Sequence, residues 1–174
     1  NPRIEAPVLN ARIRKRWALG SFAIGSIGCD NQLSYPVTFL GDTPKVLEEL
    51  NKGKHSFSKT LIDAERPMII LGQGALARPD GATILFRSRQ IAEKYGAVNN
   101  NWNGFNILHK AAARVGGLDL GFVPQDGGLN VTNIIEGARN GSVKIVYLLG
   151  ADEINTSNLG KAFVIYQGHH GDVG

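Results

Sequence analysis

The residues whose types best suit chemistry lie near the end of the sequence. His169-His170-Gly171-Asp172 combines two imidazoles with a carboxylate, and these groups bind metals or transfer protons. Adjacent side chains of an extended segment point to opposite faces, so the two histidines are poorly placed to share one ion. Asp172 can instead orient His170 as its hydrogen-bond partner. The pattern favours a third interpretation, in which both histidines bond backbone groups or water.

A second candidate is the turn Gly72-Gln73-Gly74, which follows the apolar run 68–71. With Ala77 at the place of a third glycine, this spacing approaches a dinucleotide-binding fingerprint. Pro79 and Asp80 delay the predicted helix start beyond the point where a phosphate would bind, and a carboxylate there repels a phosphate. The pattern therefore favours a structural turn over nucleotide binding. The sequence contains neither a P-loop nor a nucleophile elbow.

Two further apolar runs end in loops that contain glycine and charge. Residues 143–149 lead into Gly150-Ala151-Asp152, and residues 162–166 lead into Gly168-His169. Parallel strands of an open α/β sheet form a binding crevice at their carboxyl ends. The sequence therefore predicts one crevice at this edge of the sheet. Its expected members are Gly72, Gly150, Asp152, Gly168 and His169.

The remaining chemically interesting side chains favour structural roles. Cys29 is the only cysteine, so no intrachain disulfide, multi-cysteine zinc site or conventional iron–sulfur site can form within this sequence. We interpret Cys29 as a small buried apolar residue, and His55 and His109 as structural or solvated. The residues alone therefore predict no catalytic, cofactor-binding or metal-binding side chain.

The elements that position these residues follow from the hydrophobic pattern. Apolar strand runs alternate with amphipathic helices, which is typical of a parallel sheet covered on both faces. The pattern predicts helices over 5–18, 42–53, 56–64, 81–95, 105–115 and 130–138, and strands over 22–27, 68–71, 143–149 and 162–166. Residues 31–39 are expected to be irregular. The predicted fold is α/β, with a mostly parallel sheet in a Rossmann-like three-layer sandwich.

Composition limits the class of protein. The 174 residues are 43% hydrophobic and 20% charged, as in a soluble globular domain, and no apolar run approaches membrane-spanning length. We expect a single domain or part-domain cut from a longer chain, because the sequence lacks an initiator Met and stops within the crevice pattern. The net charge of +4 arises in the first 20 residues, from Arg3, Arg12, Arg14, Lys15 and Arg16 against Glu5. No aromatic residues alternate with these cations, so a solvated or salt-bridging helix face is favoured over nucleic-acid or lipid binding.

Several motifs resemble one known family. They occur in order along nearly the whole chain: Asn1-Pro2-Arg3, Glu5-Ala6-Pro7, the run 9–15, Leu40-Gly41-Asp42, Asn106-Ile107-Leu108-His109, Leu118-Asp119-Leu120-Gly121, Leu148-Leu149-Gly150-Ala151-Asp152, and the run 165–174. On these motifs the chain resembles the molybdopterin-oxidoreductase-like domain in the large iron–sulfur subunit of respiratory complex I.

The resemblance implies a scaffold that kept the fold of a molybdopterin enzyme without its cofactor. In the family, the whole subunit passes electrons from NADH through iron–sulfur clusters toward quinone. The resemblance implies no cofactor within this segment, with 2Fe-2S and 4Fe-4S clusters elsewhere in the parent subunit. The implied partners are the rest of that subunit and other peripheral-arm subunits, with no nucleic acid and no direct membrane insertion. The implied location is the matrix or bacterial cytoplasmic face of the inner membrane. A molybdopterin- or nucleotide-binding enzyme domain with an open crevice is the alternative.

Overall fold

The computed structural model describes residues 1–28, 32–151 and 154–168, apart from the side chain of Ala112. The chain forms two compact units, Asn1–Lys110 and Ala111–Gly174. The helices are α1 (Pro2–Glu5), α2 (Pro7–Ala18), α3 (Lys45–Lys52), α4 (Ser58–Ile62), α5 (Gln73–Leu76), α6 (Gly81–Lys94), α7 (Ala112–Asp119) and α8 (Val131–Asn140), with a 3-10 helix at Thr156–Leu159. The strands are β1 (Gly25–Ile27), β2 (Thr38–Gly41), β3 (Ile69–Gly72), β4 (Val98–Asn99), β5 (Trp102–Asn103), β6 (Phe105–Leu108), β7 (Ile145–Leu149) and β8 (Phe163–Gln167).

The core of the first unit forms where α3 and α6 pack together beside the parallel pair β3–β6. The apolar residues of each helix recur at helical spacing and therefore share one face. The buried members of this cluster are Val46, Leu47, Leu50, Leu71, Ile84, Ile91 and Tyr95. The hydroxyl of Tyr95 donates to the carbonyl oxygen of Leu50 at 2.6 Å, which joins the two helices. Gly53, with φ of 73°, ends α3 in the left-handed conformation.

Two smaller strand pairs complete the first unit. β1 and β2 are parallel, whereas β4 and β5 form a short antiparallel hairpin in which Val98 pairs with Asn103. The indole N–H of Trp102 donates to the carbonyl oxygen of Pro67 at 2.8 Å. The N–H of Ile69 donates to the carbonyl oxygen of Gly104 at 2.8 Å. The hairpin is therefore joined to the residues that begin β3.

Tyr35 holds the segment before β2 against α2. Its side chain is buried, its hydroxyl donates to Oδ1 of Asn10 at 2.7 Å, and its ring lies 6.5 Å from that of Trp17. No residue of α2 is fully buried, so few other contacts hold this helix. Burial also raises the pKa of Tyr35 above its ordinary value of 10.0.

We expect Tyr35→Phe to lower the free energy of unfolding by about 1 kcal/mol, because the Asn10 acceptor loses its donor. The raised pKa of Tyr35 means that its stabilising effect is complete below pH 10 and is lost as the pH rises through the folded-state pKa. Absorbance titration of the four tyrosines should show a late-ionising component that Tyr35→Phe removes. A titration curve unchanged by this substitution would contradict the assignment.

The second unit is built around α8 and the parallel pair β7–β8. Asn130 caps α8, since its Oδ1 accepts from the N–H of Asn133 at 2.9 Å, and Gly141 ends the helix with φ of 82°. α8 and the 3-10 helix cover one face of the strands. The buried members of this second cluster are Ala138, Val146, Leu148 and Leu159.

The predicted α/β class with mostly parallel strands is confirmed, since three of the four described strand pairs are parallel. The predicted helix over 105–115 is wrong. Phe105–Leu108 forms β6, which pairs with β3, and the helix that follows covers Ala112–Asp119. Periodicity alone cannot distinguish a short apolar strand from a helical turn. Here the segment forms a strand because it pairs with the edge of β3.

Three smaller differences concern boundaries and layers. Thr38 and Phe39 belong to β2, although the sequence predicts an irregular segment over residues 31–39. α3 begins at Lys45 with Pro44 in the N-cap position, whereas the predicted helix begins at residue 42. Each described sheet has two strands, and the three-layer sandwich and the single-domain organisation remain predictions.

Candidate functional site

The carboxyl ends of β3 and β6 form the first strand-end edge, which consists of Gly72, Gln73, Leu108 and His109. Gly72 pairs with Leu108 in the parallel register, so the next residue of each strand emerges at the same edge. The side-chain amide of Gln73 donates from Nε2 to Nδ1 of His109 at 3.0 Å, and both side chains are half-buried. In a neutral imidazole this leaves the proton on Nε2. The edge therefore offers one further hydrogen-bond donor.

A helix starts at this edge earlier than the sequence predicts. α5 begins at Gln73 directly after β3, whereas we expected no helix before Asp80. The longer α6 does begin after Asp80, as predicted. Arg78 binds the Asp80 carboxylate through two hydrogen bonds, of 2.8 and 3.0 Å, and this lowers the pKa of Asp80 and raises that of Arg78. A carboxylate with its own guanidinium partner therefore occupies the start of α6, which disfavours a phosphate there.

Gly72 and Gly74, at and just after the end of β3, are not required by packing within this structure. A Cβ atom placed on Gly72 or Gly74 would meet no heavy atom within 4 Å. By contrast, a Cβ on Gly104 would lie 2.4 Å from the carbonyl oxygen of Pro67. The surface beside Gly72 and Gly74 is therefore open, while Gly104 is a packing requirement.

The carboxyl ends of β7 and β8 form the second strand-end edge. The N–H of Gly150 donates to the carbonyl oxygen of Gln167 at 2.8 Å, which extends the strand pairing by one residue. The Tyr147 hydroxyl donates to Oε1 of Gln167. A Cβ on Gly168 would lie 2.2 Å from the hydroxyl oxygen of Tyr166. This edge is therefore occupied by its own side chains.

The predicted crevice residues fall in different parts of the chain. Gly150 and Gly168 follow paired strands of the second unit, and Gly72 belongs to the first unit. Asp152 and His169 lie outside the described residues, as do His170-Gly171-Asp172 and Cys29. The crevice that joins all five predicted members remains a prediction.

His55, for which the sequence predicts a structural or solvated role, forms local hydrogen bonds. Its Nδ1 accepts from the N–H of Phe57 at 3.0 Å, and its Nε2 lies 3.3 Å from the carbonyl oxygen of Leu40. The hydrophobic pattern does not predict the pairing of Gln73 with His109, because it places His109 inside a helix rather than at a strand end. The alternation of Phe105 and Ile107 was the available signal for a strand. Within the described ranges, no group of three or more His, Cys, Asp or Glu residues could hold a metal ion.

Comparison with known proteins gives consistent matches over the whole chain. A family model described as molybdopterin oxidoreductase matches residues 1–174. The chain is 42% identical over 174 residues to the G subunit of the NADH-quinone oxidoreductase of Rickettsia prowazekii, and 43% identical to the corresponding protein from Rickettsia felis. It is 41% identical over 176 residues to the NADH-ubiquinone oxidoreductase 75 kDa subunit of Reclinomonas americana. These alignments cover 100% of the chain and 24–25% of each relative, so the chain spans about a quarter of their length.

Proposed function

Because this chain belongs to the molybdopterin oxidoreductase family, we propose that it is a structural domain in the peripheral arm of an NADH-quinone oxidoreductase, respiratory complex I. The proposal is supported by relatives named as subunits of that enzyme, which are 41–43% identical over the whole chain. The parent subunit would pass electrons from NADH through iron–sulfur clusters toward quinone. This segment would support that path without carrying electrons itself.

The scaffold role is supported by one observation: at each strand-end edge, polar side chains form a hydrogen bond with each other. At the first edge, Gln73 bonds His109, and at the second, Tyr147 bonds Gln167. A binding site would direct such polar groups toward a ligand. Here each pair of side chains uses a hydrogen bond within the edge itself, as expected where strand ends serve to hold the fold.

The described strand ends do not fit a molybdenum–pterin group. Such a group carries phosphate, which calls for cationic side chains or several convergent N–H donors, and a metal, which calls for its own ligand. The first strand-end edge offers one amide and one imidazole that are bonded to each other, and the second offers a phenol and an amide. We therefore assign no chemical step to these residues, and we propose that the clusters of the parent subunit lie outside this segment.

The proposed partners are the rest of the parent subunit and neighbouring peripheral-arm subunits. Arg12, Lys15 and Arg16 are exposed on α2, as a salt-bridging contact with a neighbouring surface requires. The proposed location is the inner membrane, on the matrix side in a mitochondrion or the cytoplasmic side in a bacterium. In the part of the chain that the structure describes, no helix combines the length and apolar character needed to cross a bilayer.

A pterin- or nucleotide-binding enzyme domain is the second candidate, and one observation favours it. The surface beside Gly72 and Gly74 is open, so a ligand can closely approach the protein backbone at the end of β3. This candidate requires Gln73 and His109 to exchange their mutual hydrogen bond for bonds to the ligand.

Gln73→Ala and His109→Ala, each made in the parent subunit of the assembled complex, separate the two candidates. If the domain is a scaffold, the NADH:quinone rate per assembled complex stays within about twofold of the unsubstituted rate, since neither group acts in a chemical step. A loss of about 100-fold or more, with assembly intact on a native gel, would assign these groups to catalysis. Release of pterin from the segment at one equivalent would likewise overturn the scaffold role.

A further inference from the structure

The sequence contains two Asn-Gly dipeptides, Asn103-Gly104 and Asn140-Gly141. Such a dipeptide can react with itself, because the backbone nitrogen of the glycine can attack the side-chain carbonyl carbon, Cγ, of the asparagine. Glycine permits this reaction best, since it has no Cβ to obstruct the approach and its backbone turns freely. The two dipeptides are chemically identical, so a difference in their reactivity arises from the fold.

The fold holds the two asparagine side chains in the same way. Both residues are exposed, and each Oδ1 accepts a hydrogen bond from the N–H two residues later. The donor to Asn103 is Phe105, at 3.3 Å, and the donor to Asn140 is Ser142, at 2.9 Å. This local turn places the side-chain amide beside the next peptide and polarises its carbonyl group. The side chains therefore do not distinguish the two sites.

The nitrogen of Gly104 is protected by the β4–β5 hairpin. Gly104 is buried, and its N–H donates to the carbonyl oxygen of Ala97 at 2.6 Å. The nitrogen must release this proton before it can attack, and a buried, bonded N–H does so only when the structure opens locally. A Cβ on Gly104 would lie 2.4 Å from the carbonyl oxygen of Pro67, so close packing also prevents the glycine from turning toward Asn103.

Gly141 has neither of these restraints. It ends α8 with φ of 82°, and a Cβ placed on it would have Nζ of Lys144, at 3.8 Å, as its nearest neighbour outside the adjacent residues. In the described part of the chain, its N–H makes no hydrogen bond comparable to that of Gly104. The ends of helices also fray, unlike the middle of a packed hairpin. The nitrogen of Gly141 can therefore turn toward Cγ of Asn140.

We propose that Asn140 is a site of spontaneous deamidation and that the fold protects Asn103 from the same reaction. The nitrogen of Gly141 forms a bond to Cγ of Asn140, the bond from Cγ to Nδ2 breaks, and ammonia leaves with the proton that Gly141 releases. Water then adds to one of the two carbonyl groups of the cyclic imide and opens the ring. Opening on one side gives aspartate, and opening on the other gives isoaspartate, in which the backbone runs through the side chain. The reaction consumes only water, so it does not depend on the proposed function.

Both products weaken the end of α8. A new carboxylate at the carboxyl end of a helix is unfavourable, because the helix dipole is negative there. Isoaspartate also lengthens the backbone just before Val143, whose N–H donates to the carbonyl oxygen of Gly137 at 2.9 Å. A Cβ on Gly137 would lie 2.7 Å from Cγ2 of Val143, so these two residues are closely packed. Deamidation therefore loosens the second unit between α8 and β7, and the modified fraction increases with the age of the protein.

The test incubates the parent chain in its assembled complex at mildly alkaline pH and follows both Asn-Gly peptides by mass spectrometry. Deamidation at Asn140 should be about tenfold faster than at Asn103, because reaction of Gly104 first requires its hydrogen bond to break. Fragmentation by electron transfer should show isoaspartate as well as aspartate at position 140. Equal rates at the two sites, a faster reaction at Asn103, or aspartate alone at position 140 would each overturn the proposal.

The urea-unfolded parent chain is the control for intrinsic reactivity. Without the fold, the two sites should react within about threefold of each other. A difference as large as that in the folded complex would overturn the proposal, as would an unmodified Asn140 in the complex after the unfolded chain has reacted at both sites. Asn140→Gln, which lengthens the side chain and disfavours ring closure, should abolish the reaction at position 140 and leave the rate at Asn103 unchanged.

Discussion

Gly104→Ala should lower the free energy of unfolding by about 3 kcal/mol, at the upper end of the usual overpacking cost. A Cβ at this position would lie 2.4 Å from the carbonyl oxygen of Pro67 and 2.5 Å from the indole nitrogen of Trp102. The first of these atoms is backbone and cannot rotate away. The added methyl group must therefore separate the hairpin from the start of β3, which breaks the 2.8 Å hydrogen bond between Trp102 and Pro67.

Gly72→Ala is the matched control for this prediction. Gly72 lies at the other end of β3, its φ is −83°, and a Cβ there would meet no heavy atom within 4 Å. Its effect should stay within about 0.5 kcal/mol, as for most exposed positions. Urea denaturation followed by circular dichroism measures both variants. A cost for Gly72→Ala as large as that for Gly104→Ala would show that the open surface beside Gly72 is occupied in solution.

Leu50→Ala should cost about 2–5 kcal/mol, because it leaves a cavity between α3 and α6. Leu50 is only 3% exposed and belongs to the cluster that includes Ile91 and Tyr95. Its carbonyl oxygen accepts the Tyr95 hydrogen bond and is retained in the variant, so the loss reports side-chain packing alone. The measurement is again the urea midpoint, at an unchanged denaturant dependence.

Ile62→Ala removes an aliphatic side chain from the end of α4, where it is 69% exposed, and serves as the control for Leu50. Its effect should stay within about 0.5 kcal/mol. Similar costs for the two variants would mean that the α3–α6 cluster is not the core of the first unit.

The hydrophobic pattern predicted most elements because their spacing was clear. Val46, Leu47 and Leu50 recur on one face of α3, and the predicted helix over 130–138 corresponds to α8. It failed at Phe105–Leu108, where four apolar or amide residues fit a helical turn as well as a strand. The deciding interaction is with β3, far away in the sequence, and no local pattern contains that information.

The candidate site was predicted less completely than the fold. The glycines at strand ends were identified because a chain that leaves a strand needs a turn, and Gly72 is the last residue of β3 while Gly150 directly follows β7. The pairing of Gln73 with His109 was not predicted, because it depends on the parallel register of β3 with β6. Side chains that meet across a sheet can be assigned only after the strand order is known.

The strand pairs also set the order in which the chain can fold during synthesis. Ile69 pairs with Phe105, 36 positions later, whereas Ile145 pairs with Phe163, 18 positions later. Doubling the length of a closed loop costs only about 0.6 kcal/mol, so stability barely distinguishes the two pairs. The timing of synthesis does distinguish them, because β3 ends 33 residues before β6 begins and emerges from the ribosome first. The nascent chain must therefore carry an unpaired edge of β3 until β6 has also emerged, and that interval is when a chaperone would have most to protect.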